Sequence, residues 1–313
     1  MYNVNKGERE LNSLPPYVNR FLSYSEYPES VPNTIGVTTL IDSAQIHKLK
    51  LAYPGISTPS IERINLSIGT AVHMLFEKAS RGFGTSEYRI GVETHVGPHT
   101  VTISGQPDHI ELEDGVMVLY DVKTTKAASA MYGIKPEWES QTNIYKWMLG
   151  QKGLDIDVIR AVAVYKDWSV GDQRRMTQSD YSYPDEAIQI IDIPVWTYDR
   201  VVAFVIGRLE AHFLQENPQC SFEERWARKA VYAVHKGRKY RAERLLDSMD
   251  AAVEWCDDND AIVSRVTGDR VRDEKGYYIV ARPEVWTRCE SYCDVASVCP
   301  QWREFNEAKR NST

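Results

Sequence analysis

The chain has no apolar run approaching the ~18 residues that a membrane-spanning helix needs. Its opening, Met1 to Glu10, is polar and charged, unlike a secretory leader. Both features point to a cytoplasmic protein with no membrane partner. Internal repeats and long low-complexity tracts are missing too, which excludes solenoids and arrays. An overall basic charge is also lacking: 37 Lys and Arg stand against 44 Asp and Glu, a formal charge of −7. Any contact with nucleic acid must therefore come from local patches. No cysteine occurs before residue 220, and all five lie between there and residue 299. In a reducing compartment a clustered set of thiols suggests a metal site more than disulfides.

What remains is 313 residues, 42% hydrophobic and 26% charged, a globular balance with room for one large domain or two ordinary ones. Residues 1–65 read as an N-terminal arm followed by a helix with Ser43 at its cap. Residues 66–215 run helix, strands, helix, strand, helix, which is an α/β pattern. The first of these helices spans about Leu66 to Ser80, with Ser67 as a possible cap, and the second starts at Pro136, a favoured first-turn position. Residues 216–313 carry a basic stretch, an acidic stretch and the cysteines, and are expected to pack on the core as a C-terminal region.

The most informative segment is GQPDHIELEDGVMVLYDVKTTK, residues 105–126. Asp114-Gly115 is a strong two-residue hairpin turn between alternating strands. With those two residues as the loop, partner numbers sum to 229, and Asp108 falls opposite Asp121. Alternation puts Asp108, Asp121 and Lys123 on one face with Ile110, Leu112, Met117 and Leu119. Opposed side chains have Cβ atoms roughly 4.5–5.5 Å apart. Two carboxylates at that spacing repel each other and, beside apolar neighbours, are costly to ionise. A divalent cation between them relieves both problems, and oxygen ligands suit Mg²⁺ or Mn²⁺. Lys123 could orient or deprotonate a water there, which is what attack on a phosphodiester requires. An ordinary surface hairpin with a Lys123 salt bridge is the plain alternative.

On the helix over 66–80, His73 and Glu77 are four apart and share a face. On the helix from Pro136, Gln141 and Tyr145 do the same and could hold a phosphate or a water without adding charge. GTAVH (69–73), GQPD (105–108), DVK (121–123) and QTNIY (141–145) occur in this order. Together they resemble the RecB-like branch of the PD-(D/E)XK nuclease superfamily, which includes phage-type exonucleases and the iron–sulfur nucleases of CRISPR adaptation. The resemblance covers about residues 66–150. It implies a PD-(D/E)XK core, a mixed central β-sheet flanked by helices. It also implies His73, Asp108 and Asp121 as ligands of Mg²⁺ or Mn²⁺, Lys123 serving the water, and Gln141 and Tyr145 assisting at the substrate. Glu93, on the strand before, is a possible outer member.

The cysteines at 289, 293 and 299 are spaced C-x3-C-x5-C and could share one metal or cluster, with a fourth ligand from elsewhere. The resemblance suggests a [4Fe–4S] cluster, and Zn²⁺ is the competitor. The family commonly places its distant cysteine before the core and often uses C-x2-C; this chain does neither. Cys220, which opens CSFEERW, is preferred as fourth ligand over Cys256, which sits in an acidic stretch. The implied architecture is thus the nuclease core with a small, Cys-rich, metal-bound C-terminal extension.

Residues 225–244 hold eight Lys or Arg and one acid, a net +7 that leaves −14 for the rest of the chain. Arg225, Arg228, Lys229, Lys236, Arg238, Lys239 and Arg241 could meet phosphates, while Trp226, Tyr232 and Tyr240 offer stacking surfaces. Gly237 suggests a hairpin tip. The expected function is a metal-dependent deoxyribonuclease, an exonuclease of recombination, repair or phage DNA processing. Its partners would be DNA, as single strands or duplex ends, and an annealing protein or helicase. The rival readings are a non-catalytic DNA-binding or assembly module on a nuclease-like fold, and a nuclease acting on RNA.

Overall fold

The computed structural model describes residues 15–24, 31–56, 63–176, 183–237, 239, 241–259, 263–266 and 277–311. The chain forms two compact units, Met1–Gln219 and Cys220–Thr313. In the first, the elements are α1 (Pro16–Ser23), β1 (Thr34–Gly36), α2 (Val37–Ile41), α3 (Ala44–Ala52), α4 (Ile64–Ala79), β2 (Thr85–Ser86), β3 (Ile90–Val96) and β4 (His99–Gly105). They continue as β5 (His109–Glu113), β6 (Val116–Thr125), α5 (Pro136–Gly150), β7 (Val158–Tyr165), α6 (Val170–Met176), β8 (Ile188–Ile193) and α7 (Tyr198–Phe213).

Two sheets organise this unit. The larger has the order β2-β5-β6-β7-β8, with β6 and β7 parallel and the other neighbours antiparallel. The smaller is β1-β4-β3. A mixed sheet flanked by helices is the expected α/β core. The β5–β6 hairpin has the expected register, from His109 opposite Tyr120 to Glu113 opposite Val116. Asp114 and Gly115 both have positive φ, +49° and +85°, as a two-residue turn of this hand requires. β6 lies centrally, so both its faces are covered: Leu119 and Asp121 are buried on one, Val118 and Val122 on the other. Leu112, near the hairpin tip, is 62% exposed, so the expected apolar face does not extend that far.

Other elements also follow their local chemistry. Thr38 to Leu51, expected as one helix, is two, broken at Asp42–Ser43. Ser43 caps the second of them, accepting a hydrogen bond from Ile46 N at 3.4 Å. Ser67 does not cap α4: it lies inside the helix, and its hydroxyl donates back to Arg63 O at 3.3 Å. Ile35, Val37 and Leu40 are buried in the same core as Ile103, Leu119 and Ile144. The division expected at residue 65 therefore runs through one packed unit.

The second unit is more regular than its composition suggests. Its strands are β9 (Ala227–Arg228), β10 (Val231–Lys236), β11 (Arg244–Leu246), β12 (Val263–Val266), β13 (Tyr277–Arg282) and β14 (Val285–Trp286), and its helices are α8 (Met249–Asp258), α9 (Thr287–Ser291) and α10 (Pro300–Asn311). A sheet of order β11-β10-β13-β12 carries α8, with Val234, Ala252, Cys256 and Ile279 buried between them. Gly237, φ +55°, lies in the β10–β11 connection. Among the described residues no helix is long and apolar enough to cross a membrane.

Candidate functional site

Several elements of the first unit meet around Asp108. α4 approaches β6 closely because residue 69 is glycine: a Cβ there would lie 3.2 Å from Thr124 Oγ1. One turn on, His73 Nδ1 lies 3.1 Å from Asp108 Oδ1. Asp108 stands one residue before β5, and its Oδ2 accepts a hydrogen bond from Val122 N at 2.6 Å. The hairpin register, carried one step further, sets Asp108 across from Asp121. Glu87 joins from the loop after β2, held by its backbone N–H donating to Asp108 O at 3.0 Å and by a hydrogen bond from the Gln106 amide. His73, Glu87 and Asp108 each offer a ligand atom, all within 4.8 Å of one another.

The second half of the site lies on β6 and α5. Asp121 is 1% exposed, and its Oδ2 is met by the Lys123 ammonium at 2.8 Å. Its Oδ1 is buried with no hydrogen-bond partner among the described residues. Lys123 Nζ also donates to Gln141 Oε1 at 2.9 Å, and Gln141 Nε2 donates to the Tyr145 hydroxyl at 3.0 Å. The motif glycine of GQPD has a steric purpose here. A Cβ on Gly105 would come within 2.7 Å of Tyr145 Cε1, so that ring position requires glycine.

The electrostatics of the two halves are linked. Burial pushes the Asp121 carboxyl up to about 6; the Lys123 charge pulls it back, while Asp108 pushes it further up. Burial alone would lower His73, but its hydrogen bond to Asp108 and that carboxylate's charge outweigh this and hold it above the usual imidazole value. Glu87 is raised by burial and then by Asp108. Crowded acids that resist ionisation, a buried carboxylate oxygen without a partner and one imidazole fit a hard divalent cation. Ligation by His73, Glu87 and Asp108, with Asp121 adjacent, would stabilise the carboxylates and hold His73 as neutral imidazole, displacing its proton.

Most of the residues expected from sequence come together here: His73, Asp108, Asp121, Lys123, Gln141 and Tyr145. In the tight three-residue group, Glu87 stands where the sequence reading set Asp121. No periodicity or motif marked Glu87, which follows a glycine-rich turn. Glu93 lies elsewhere, exposed on β3 opposite Thr102. Beside the group is a cleft of about 280 Å³, whose lining includes His73, Glu77, Glu87, Asp108 and Val122.

In the second unit, Cys220, Cys289, Cys293 and Cys299 are neighbours. Burial pushes the Cys289 thiol up to about 12, and the nearby Cys293, Cys220 and Cys299 add to this. Cys293 is raised as well, mainly by burial. Gln301 clamps Cys220 by accepting from its N–H at 3.0 Å and donating to its carbonyl at 3.1 Å. Cys256 is apart, fully buried on α8 within the small core of that unit.

The basic stretch is divided in its contacts. Arg225 turns inward, stacking 4.1 Å over Trp286 and donating to Cys220 O. Arg228, Lys229, Lys236, Lys239 and Arg241 are exposed, although Lys239 pairs with Glu243 at 2.7 Å and Arg228 donates to the Thr287 hydroxyl. Arg238 and Tyr240 lie outside the described residues.

Residues 70–300 match the PD-(D/E)XK nuclease superfamily, and the chain belongs to it. The crystal structure of SSO0001 is similar, with a TM-score of 0.47 at 18% identity over 67% of this chain and 85% of that one. The crystal structure of a candidate exonuclease from Eubacterium rectale aligns with a TM-score of 0.31 at 12% identity, over 56% of this chain and 65% of that one. No match is found among curated proteins.

Proposed function

We propose that the chain is a divalent-metal-dependent deoxyribonuclease of the RecB-like branch, acting as an exonuclease in recombination, repair or phage DNA processing. The observation that carries this reading is the pairing of a buried, partly unsatisfied Asp121 with Lys123, next to the ligand group of His73, Glu87 and Asp108. Mg²⁺ or Mn²⁺, when bound, would supply Lewis-acid stabilisation of charge developing on the phosphodiester.

The protein's own residues divide the remaining work. His73, Glu87, Asp108 and Asp121 hold the cation. The Lys123 ammonium, fixed between Asp121 and Gln141, orients the attacking water and stabilises its deprotonated form. Gln141 fixes Lys123, and Tyr145 fixes Gln141. Attack on phosphorus with release of the 3′ oxygen leaves a 5′-phosphate. In the second unit, Cys220, Cys289, Cys293 and Cys299 are proposed to hold a [4Fe–4S] cluster, with Zn²⁺ as the alternative; a bound metal would draw off the protons that burial holds on Cys289 and Cys293. The exposed cations among Arg228, Lys229, Lys236, Lys239 and Arg241, with Arg238, are proposed to meet DNA phosphates. An annealing protein or helicase is the proposed protein partner.

The test is digestion of end-labelled linear and circular DNA with Mn²⁺. Release of 5′-phosphorylated products from linear DNA, lost in Asp121→Asn, supports the reading. Intact DNA at all metal concentrations rejects it.

A further inference from the structure

The cleft lined at one end by His73, Glu87 and Asp108 extends over residues that the hydrolysis chemistry does not use. Its floor is an apolar row across three strands: Val122 is registered with Val162, and Val162 with Ile190. Ile188 and Ile190, on the edge strand β8, are 46% and 53% exposed and both line the cleft. Phe76 of α4 lines the same cleft. On the same face of the sheet, β5 adds a polar row. The Ser86 hydroxyl lies 2.8 Å from His109 Nδ1, and His109 Nε2 lies 3.1 Å from Glu111 Oε2. A carboxylate only accepts, so Nε2 carries the proton toward Glu111 and Nδ1 accepts from Ser86. Glu111 is thereby held in place with its other oxygen unpartnered among the described residues.

An apolar floor, the Glu111 acceptor held away from the ligand carboxylates and the phosphate chemistry of His73, Glu87 and Asp108 in the same cleft together describe a nucleoside site. At about 280 Å³ the cleft is at the small end of ligand sites, which run from roughly 300 Å³ upward. That volume suits one nucleoside rather than a base pair, so a base would enter unpaired, as a strand end or by flipping. We infer that this cleft is a subsite for a single unpaired nucleoside next to the scissile phosphate, and that Glu111 makes it prefer bases with an exocyclic amino group. Cytosine offers N4–H₂ to the carboxylate, as adenine offers N6–H₂. Thymine presents a carbonyl oxygen at the corresponding position and is disfavoured. The inference rests on the nuclease reading for the identity of its ligand, and it goes beyond that reading by naming the base preference and the residue that sets it.

The test is fluorescence anisotropy of the full chain with short labelled oligo-dC and oligo-dT in Ca²⁺, with Mn²⁺ cleavage of the same oligomers scored in parallel. Wild type should bind oligo-dC about 5- to 10-fold more tightly than oligo-dT. Glu111→Gln, whose amide can donate as well as accept, should bring the ratio near one. Ile190→Ala should weaken both by a similar factor while keeping the ratio. Equal affinities in wild type, or an unchanged ratio in Glu111→Gln, overturn the subsite. Cleavage without base preference leaves the nuclease reading standing and sinks the subsite. Preference without cleavage does the reverse, and the absence of both sinks the two together.

Discussion

The two clusters of ligand-type side chains, one in each unit, balance their charge in different ways. In the first unit the acids come with internal cations: Lys123 lies 2.8 Å from Asp121, and His73 lies 3.1 Å from Asp108. That unit can hold its geometry without a metal, at the cost of a strained titration. In the second unit four thiols gather, and burial drives Cys289 up to about 12 although Arg225 pulls it back; among the described residues no cation is paired to Cys289 as Lys123 is to Asp121. Cys289 and Cys293, both raised by burial, would give up their protons to a bound metal. Metal should thus matter for chemistry in the first unit and for folding in the second.

The largest effect expected from this contrast is on rate. Lys123→Ala should lower Mn²⁺-dependent cleavage by ~10²–10⁴-fold, the usual weight of a proton-handling group, with metal affinity by calorimetry nearly unchanged. An equal loss of metal affinity would move Lys123 from the water to the ligand scaffold.

Next in size is the thiol cluster. Cys289→Ser should remove the metal proposed for the second unit, read by elemental analysis, and lower its thermal stability by several kcal/mol. Cys256→Ser should retain the metal and cost only about 1–3 kcal/mol, the price of a hydroxyl in an apolar core. Equal metal loss in both would contradict the assignment of Cys220 as the fourth ligand.

Two buried groups in the first unit should give opposite pH dependences. Asp121, raised from 3.8 to about 6, contributes stability that is full below pH 4 and lost as pH rises through 6. His212, lowered from 6.5 to about 4 by burial and by the charges of His47 and Arg208, contributes stability that is full above pH 6.5 and lost as pH falls through 4. Its Nε2 donates to Leu40 O at 3.2 Å, so its Nδ1 accepts from His47 Nδ1, 3.0 Å away, a pairing that needs the neutral ring. Each slope is worth about 3 kcal/mol. In denaturant titrations of the metal-free protein, Asp121→Asn should remove only the first slope and His212→Gln only the second.

The smallest effects test the motif glycines. Gly105→Ala must displace the Tyr145 ring and should cost about 1–3 kcal/mol. Gly69→Ala meets only Thr124 Oγ1 at 3.2 Å and gains helix propensity, so a net change below about 1 kcal/mol is expected.

Much of the β6–α5 half of this site was legible in the sequence, because a hairpin turn sets register and register sets neighbours. Asp114-Gly115 alone brought Asp108, Asp121 and Lys123 into relation, and helical spacing paired Gln141 with Tyr145. Glu87 was not legible, since it reaches the site from an irregular loop whose path depends on backbone contact with Asp108. The second unit hid its sheet because β10 and β13 are separated by more than forty residues in sequence. Charge and cysteine spacing dominated that region and masked the short apolar stretches that pair. The N-terminal segment looked loose for a related reason: β1 has three residues, and its partner β4 lies more than sixty residues away.

The most direct test is a Mn²⁺ titration followed by electron paramagnetic resonance, comparing wild type with Asp108→Asn and Asp121→Asn. The account predicts loss of the free-ion signal in wild type and much weaker uptake in both variants, with their fold intact by circular dichroism. Mn²⁺ uptake unchanged by either substitution, or no uptake by wild type, would contradict it.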